Sequence, residues 1–212
     1  MLELNTEINI YRNYRAVPKE QFERKTGLIL STAANPLHHG HMYMMCNAYD
    51  MMKTHITQSE VVPVFELSVI NADKGILNDT EIQNRTSQFV NSGYHYSYGT
   101  LPSFAAKSYE YKSIFDNYYF VIGSDTFYRM CDINQFHFGS IESLYHSMRM
   151  LRGHLIIFNR PGTKTVEETY EERLPALIYD VECSDKYRMF NNIVLDSEVS
   201  ISSTEIRNAK KD

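Results

Sequence analysis

Two histidines three positions apart, His38 and His41, flank Gly40 in the string Asn35-Pro36-Leu37-His38-His39-Gly40-His41. Before them lies a short apolar run, Gly27-Leu28-Ile29-Leu30, that reads as a buried strand. After them, from about Gly40, apolar residues recur at Met42, Met45, Tyr49 and Met52, the repeat of one helix face. The histidines therefore fall where a strand hands over to a helix, the opening of a βαβ unit. A helix start offers unpaired N–H groups and the positive end of a dipole, which suit phosphate. Imidazoles there add donors that can follow charge developing on a phosphoryl oxygen, and a glycine lets a ligand come close to the backbone.

A second group stands near the other end of the chain, in Ile201-Ser202-Ser203-Thr204-Glu205-Ile206-Arg207. Hydroxyls ahead of a helix supply side-chain and backbone donors, and Arg207, one turn in, can bring its fork to a phosphate. Alone such a string is a commonplace helix cap. With the histidine cluster it gives two segments that can converge on one polyphosphate.

The elements that must position these groups alternate between strand and helix. Strand-like runs recur at Val61–Leu67 (with Pro63 as a weak point), Tyr118–Ile122, Leu155–Phe158 and Ile193–Leu195. Helical patterns fall at Asp79–Phe89, capped by Asp79 or Thr80, and at Thr204–Lys211, with Ser203 near its cap. Such alternation predicts an α/β fold with a mostly parallel sheet covered on both faces. Ligands of these sheets sit beyond the carboxyl ends of the strands, and the candidate residues all lie at such ends. Residues 1–25 are polar with scattered tyrosines and read as an arm or short helix, leaving residues 26–212 as the main domain.

Composition removes other classes. The 212 residues are 43% hydrophobic and 22% charged, ordinary for a globular chain. A formal charge of −5 opposes sequence-independent nucleic-acid binding, which needs clustered cations. No apolar run approaches the ~20 residues that span a bilayer, and the first residues lack a signal-peptide core. Cys46, Cys131 and Cys183 are too few and too scattered for a disulfide framework or zinc knuckle, which leads us to expect a reducing, cytoplasmic setting.

The pair His-x-Gly-His and Ile-Ser-Ser-Thr-x-x-Arg resembles the signature of the nucleotidylyltransferase superfamily, whose members transfer a nucleoside monophosphate to a phosphorylated acceptor and release pyrophosphate. Phe120–Thr126 and Ile156–Gly162 resemble the G-x-D and R-P-G segments of nicotinamide and nicotinate mononucleotide adenylyltransferases. A fungal and plant branch of cytidylyltransferase-like proteins is similar in Glu66–Lys74, in Leu101-Pro102-Ser103-Phe104 with Lys107, and in Gly123–Thr126. The resemblance covers about residues 27 to 208 and implies a Rossmann-like nucleotidylyltransferase fold.

It also implies roles. His38 and His41 would hold ATP phosphates and stabilise charge on the α-phosphoryl group, with Arg207 completing the catalytic set. Ser202, Ser203, Thr204 and Arg207 would bind the β- and γ-phosphates, Thr32 and Ala33 would line the ATP loop, and Gly123 and Asp125 would meet the ribose. Asn35, Lys74 and Arg160 are candidates for the acceptor side. Relatives often stack the nicotinamide ring on Trp; this chain has none, so Tyr98 or Phe104 would serve. Relatives usually carry Gly and Phe where Thr32 and Ala34 stand, and prolines where Gly75-Ile76-Leu77 follows Lys74.

The implied reaction joins ATP to nicotinamide mononucleotide to give NAD. Mg²⁺ would bridge the phosphates without a protein ligand cage, and neither nucleic acid nor membrane would be a partner. Relatives are commonly homo-oligomers. Nicotinate mononucleotide, pantetheine phosphate, a CTP-dependent phospho-alcohol transfer and a non-catalytic nucleotide sensor stay open as alternatives. Class I aminoacyl-tRNA synthetases share a similar histidine motif, but this chain is short and acidic and lacks a K-M-S-K-S-like loop.

Overall fold

A computed structural model describes residues 7–71, 75–137, 139–174 and 193–196 with positions 206 and 208. The chain forms two compact units, one built mainly from the residues up to Phe120 and one spanning Val121–Ser200.

In the first unit the apolar run around Leu28 becomes strand β3 (Thr26–Thr32), and the next becomes β4 (Val61–Ser68). They pair in parallel from Thr26↔Val61 to Thr32↔Leu67. β7 (His95–Gly99) joins β4 in parallel from Val64↔His95 onward. Pro63 lies inside β4, in register with Leu28 of β3, and the β7 ladder begins only at the next residue.

The segment expected as an arm or short helix does hold one turn of 3-10 helix, Lys19–Phe22, and ahead of it adds two antiparallel strands that the sequence did not show. β1 (Ile10–Arg12) lies along β7, and β2 (Arg15–Ala16) lies along β1. Ile8, Ile10 and Phe22 are buried, so these residues are held by core packing, which their polar neighbours hide in the sequence. With the first half of β8 (Asn117–Gly123), the strand order in this unit is β8-β3-β4-β7-β1-β2. Strand order therefore reverses at β3, the position where open α/β sheets place their ligands. A two-residue hairpin, β5 (Ile70–Asn71) with β6 (Gly75–Ile76), follows β4.

Alternation along the strands gives the unit two distinct faces. One carries Leu30, Phe65 and Tyr96 and is covered by α1 (His39–Met51) and α2 (Asp79–Asn91), with Phe65 stacked on Phe89 of α2 at 5.3 Å. The buried stripe of α1 runs through Met44, Met45 and Ala48 to Met52, one step round from the expected face. Small Ala48 lets the helix approach the sheet, while five methionines between 42 and 52 make every face look apolar in the sequence. α2 is capped by Asn78 in a reciprocal box with Glu81, one residue before the expected cap.

The other face carries α3 (Phe104–Lys112), which buries Lys107, Ser108 and Tyr111. Lys107 Nζ donates to Glu66 Oε1 at 2.9 Å and to the hydroxyls of Ser31 and Ser68 at 3.0 Å each. The Tyr111 hydroxyl is 2.8 Å from Ser97 Oγ, and full burial, with the Glu66 charge nearby, raises its pKa well above the usual range. Ser31, Glu66 and Ser97 are register partners, so α3 is fixed to one polar row across three strands.

The second unit contains the remainder of β8, the parallel pair β9 (Leu155–Asn159) and β10 (Ile193–Asp196), and helices α4 (Ser124–Met130), α5 (Ile133–Phe136), α6 (Ile141–Met150) and α7 (Val166–Arg173). Its core joins Leu155–Phe158 of β9 with Phe127, Leu144, Met148 and Tyr170. The expected helix at Thr204–Lys211 lies outside the described residues except for positions 206 and 208, both helical. Among the described residues no helix is long and apolar enough to cross a membrane.

Candidate active site

β3 ends at Thr32, and the chain passes through Ala33–Leu37 to the start of α1. Ala34 is fully buried and adopts a left-handed conformation (φ 44°), a turn that few non-glycine residues make without strain. Two side chains of α2 hold this loop from outside. Gln88 donates from Nε2 to the Ala34 carbonyl (3.0 Å) and accepts the Leu37 N–H at Oε1 (2.8 Å). Arg85 donates to the Ala33 carbonyl (3.0 Å) while paired with Glu81 one turn away (3.1 Å). The loop carbonyls of Ala33 and Ala34 are thus turned toward α2. Neither side chain was legible as a loop holder, because each acts on residues more than fifty positions away.

His38 is the N-cap of α1 and accepts the Gly40 N–H at Nδ1 (3.1 Å). His41, three residues on, accepts the His38 N–H at its own Nδ1 (3.3 Å), so the two form a reciprocal capping box built from imidazoles. A ring whose Nδ1 accepts a backbone N–H carries the proton of its neutral form on Nε2. Both rings therefore present an Nε2–H donor, with ring centroids 3.8 Å apart. That of His41 lies 2.9 Å from Thr32 Oγ1, which also accepts the Ala34 N–H at 3.0 Å. The helix start is served by its histidines: Gly40 donates to the His38 ring, and the His41 and Met42 N–H groups donate to the His38 carbonyl. A phosphate approaching this end would meet imidazole N–H groups.

The second unit gathers another set. Gly123 closes β8, and a β-carbon there would collide with the Asp125 carboxylate, so glycine gives Asp125 its place. Arg160, the residue after β9, points Nη1 at Asp125 Oδ1 (3.5 Å). Asp125 stays about half exposed, with a side-chain accessibility of 47%, which leaves its oxygens within reach of a ligand's hydroxyls. Ser124 is tied to Thr163, whose hydroxyl donates to the Arg160 carbonyl (2.9 Å), and this fixes the segment that carries the arginine.

The structure thus brings together Thr32, His38 and His41, with Ala33 and Asn35 on the loop between them, and separately Gly123, Asp125 and Arg160. Tyr98 is the register partner of Leu67, itself the partner of Thr32, so it stands on the same sheet face two strands away, roughly 10 Å. One face of its ring is taken by Tyr11, stacked at 5.2 Å. Phe104 begins α3 and packs edge-to-face on Phe120 (5.2 Å), with the Lys107 ammonium over its ring. Lys74, Ser202, Ser203, Thr204 and Arg207 lie outside the described residues. Among the described residues no group of three or more His, Cys, Asp or Glu gathers as a metal cage.

No protein-family model matches the chain, and no curated protein does. Among solved structures it is similar to Plasmodium falciparum nicotinic acid mononucleotide adenylyltransferase complexed with APC. Their TM-score is 0.52 at 15% identity, over 87% of this chain and 83% of that one. A structure of the same Plasmodium enzyme complexed with NaAD gives a TM-score of 0.48 at 16% identity, over the same shares. The chain has the Rossmann-like α/β fold of that adenylyltransferase.

Proposed function

We propose that this protein is a nucleotidylyltransferase of pyridine nucleotide synthesis that transfers AMP from ATP to nicotinamide mononucleotide, giving NAD and pyrophosphate. The observation that carries this reading is the imidazole capping box, which sets two Nε2–H donors side by side at a helix start beyond the switch-point strand. The fold likeness to an adenylyltransferase adds support.

In this reaction an oxygen of the acceptor phosphate attacks the α-phosphorus of ATP in line, the bond from that phosphorus to the bridging oxygen breaks, and pyrophosphate leaves. A phosphate dianion needs no general base at neutral pH, so the protein's task is alignment and charge stabilisation. His38 and His41 donate to the phosphoryl oxygens as charge grows on them. Asp125 accepts the ribose hydroxyls, with Arg160 orienting its carboxylate. Ser202, Ser203, Thr204 and Arg207 take the leaving pyrophosphate, Lys74 and Asn35 contact the acceptor, and the pyridine ring stacks on Tyr98 or Phe104. Mg²⁺ enters with the nucleotide as part of the substrate, its shell made of phosphate oxygens and water.

The test is pyrophosphate release and dinucleotide formation with MgATP or MgCTP against each acceptor. NAD formed with ATP and nicotinamide mononucleotide is the expected result; product from the nicotinate acceptor alone would move the substrate to the acid form. His41→Ala should lower turnover by roughly 10²–10³, the scale of one preorganised donor. ATP binding without pyrophosphate from any acceptor would refute the transferase reading in favour of a nucleotide sensor.

A further inference from the structure

Thr32 is a β-branched residue at the last position of β3, buried to 9% exposure, and its hydroxyl already holds two groups. The Ala34 N–H reaches it from the loop at 3.0 Å, and His41 Nε2 reaches it from α1 at 2.9 Å. The direction of the second bond follows from the far side of the ring. Because His41 Nδ1 accepts the His38 N–H, Nε2 carries the proton and donates, and Thr32 Oγ1 is the acceptor. A hydroxyl that accepts twice has only its own O–H left to give. The backbone of Thr32 is fixed as well: Ser31 on the opposite face is tied to Lys107, and Thr32 lies in register with Leu67. The acceptor for the imidazole proton is thus mounted on the sheet, whereas the ring itself is mounted on the helix.

We propose that Thr32 is a positioning residue for His41: its hydroxyl anchors the Nε2–H of the ring at the carboxyl end of β3 until a phosphoryl oxygen takes that hydrogen bond over. The ring then enters the reaction already oriented, with its proton on the nitrogen that must donate. The role in turnover rests on the transferase reading; the anchoring does not, and the experiment separates them.

The whole protein, labelled with ¹⁵N in histidine, is observed without nucleotide, and the His41 ring is assigned by its loss in His41→Gln. Expected in the wild type is a ring with unprotonated Nδ1 and protonated Nε2 whose proton exchanges slowly with water. Thr32→Val, which keeps the shape and removes the acceptor, should speed that exchange by roughly fivefold, the scale of one net hydrogen bond; Thr32→Ser should restore it. In turnover, Thr32→Val should cost roughly fivefold in the wild type and less than about twofold in a His41→Ala background, since its effect passes through the ring. A wild-type ring protonated on Nδ1, or an Nε2–H unchanged in Thr32→Val, would overturn the proposal. So would an equal loss of turnover in both backgrounds. If Thr32→Val does not fold, the wild-type tautomer and exchange rate still decide, because an Nε2–H that exchanges as fast as in free histidine has no anchor. If no acceptor yields pyrophosphate while Thr32→Val still frees the ring, the transferase reading fails and the anchor stands.

Discussion

Removing the ammonium of Lys107 should destabilise the first unit more than any single loss on its surface. Its side chain and that of Glu66 are only 4% and 2% exposed. All three ammonium protons are used, on Glu66 Oε1, Ser31 and Ser68, and Glu66 Oε2 has no hydrogen-bond partner among the described residues. Lys107→Met keeps most of the buried stem and removes the charge, leaving a carboxylate with neither oxygen paired to a cation. Breaking a buried pair from one side costs about 3–5 kcal/mol. With a urea slope of ~2–3 kcal/mol/M, the midpoint should fall by roughly 1–2.5 M. The double variant Lys107→Met/Glu66→Gln removes both charges and should recover more than half of that loss. Urea unfolding followed by tyrosine fluorescence measures both, and amide exchange along β3 and β4 locates the effect. A single-variant cost below about 1 kcal/mol, or a double variant no better than the single, would refute the account of this pair as a dry, mutually dependent unit.

Other perturbations test separate parts of the molecule. Gln88→Ala leaves the Ala34 carbonyl and the Leu37 N–H without their partner and should weaken ATP binding by about tenfold, ~1.4 kcal/mol, measured by calorimetry. Burial, aided by the Arg12 and Lys25 charges, lowers the pKa of His95, so folding favours its neutral form. The stability this gives is complete above the ordinary histidine value of about 6.5 and is lost as pH falls through the folded value; His95→Gln should flatten the drop in melting temperature between pH 7.5 and 5. Burial pushes the Cys131 thiol up to about 12, so in a Cys46→Ser/Cys183→Ser variant it should resist disulfide reagents at pH 8 until the chain is unfolded.

Strands that bury apolar runs were legible because hydrophobicity and burial coincide: Leu28–Leu30, Phe120–Ile122 and Leu155–Phe158 are all interior. β7 and α3 were not. β7 reads His-Tyr-Ser-Tyr-Gly, and its buried Ser97 is held by the Tyr111 hydroxyl of α3 instead of by apolar packing. α3 buries a lysine, a serine and a tyrosine hydroxyl, so no apolar period marks it. For the site, the histidine spacing exposed the helix start; the reciprocal box in which each ring accepts at Nδ1 came from geometry. The link from Thr32 to His41 was equally hidden, since a strand-end threonine announces no partner. Among the described residues the groups appear where the motifs put them along the chain; their hydrogen-bond roles had to come from geometry.

The sheet of the first unit finishes on a strand two residues long. β2, Arg15–Ala16, is reached through Asn13 and Tyr14, both left-handed, and Val17-Pro18 follows it. So short an outer rung, exposed, bearing arginine and followed by proline, offers a second chain little to zip onto. Cutting away the first sixteen residues would bare the backbone of β7 and uncover tyrosines that now stack against Tyr11, turning a blunt rim into a template for aggregation.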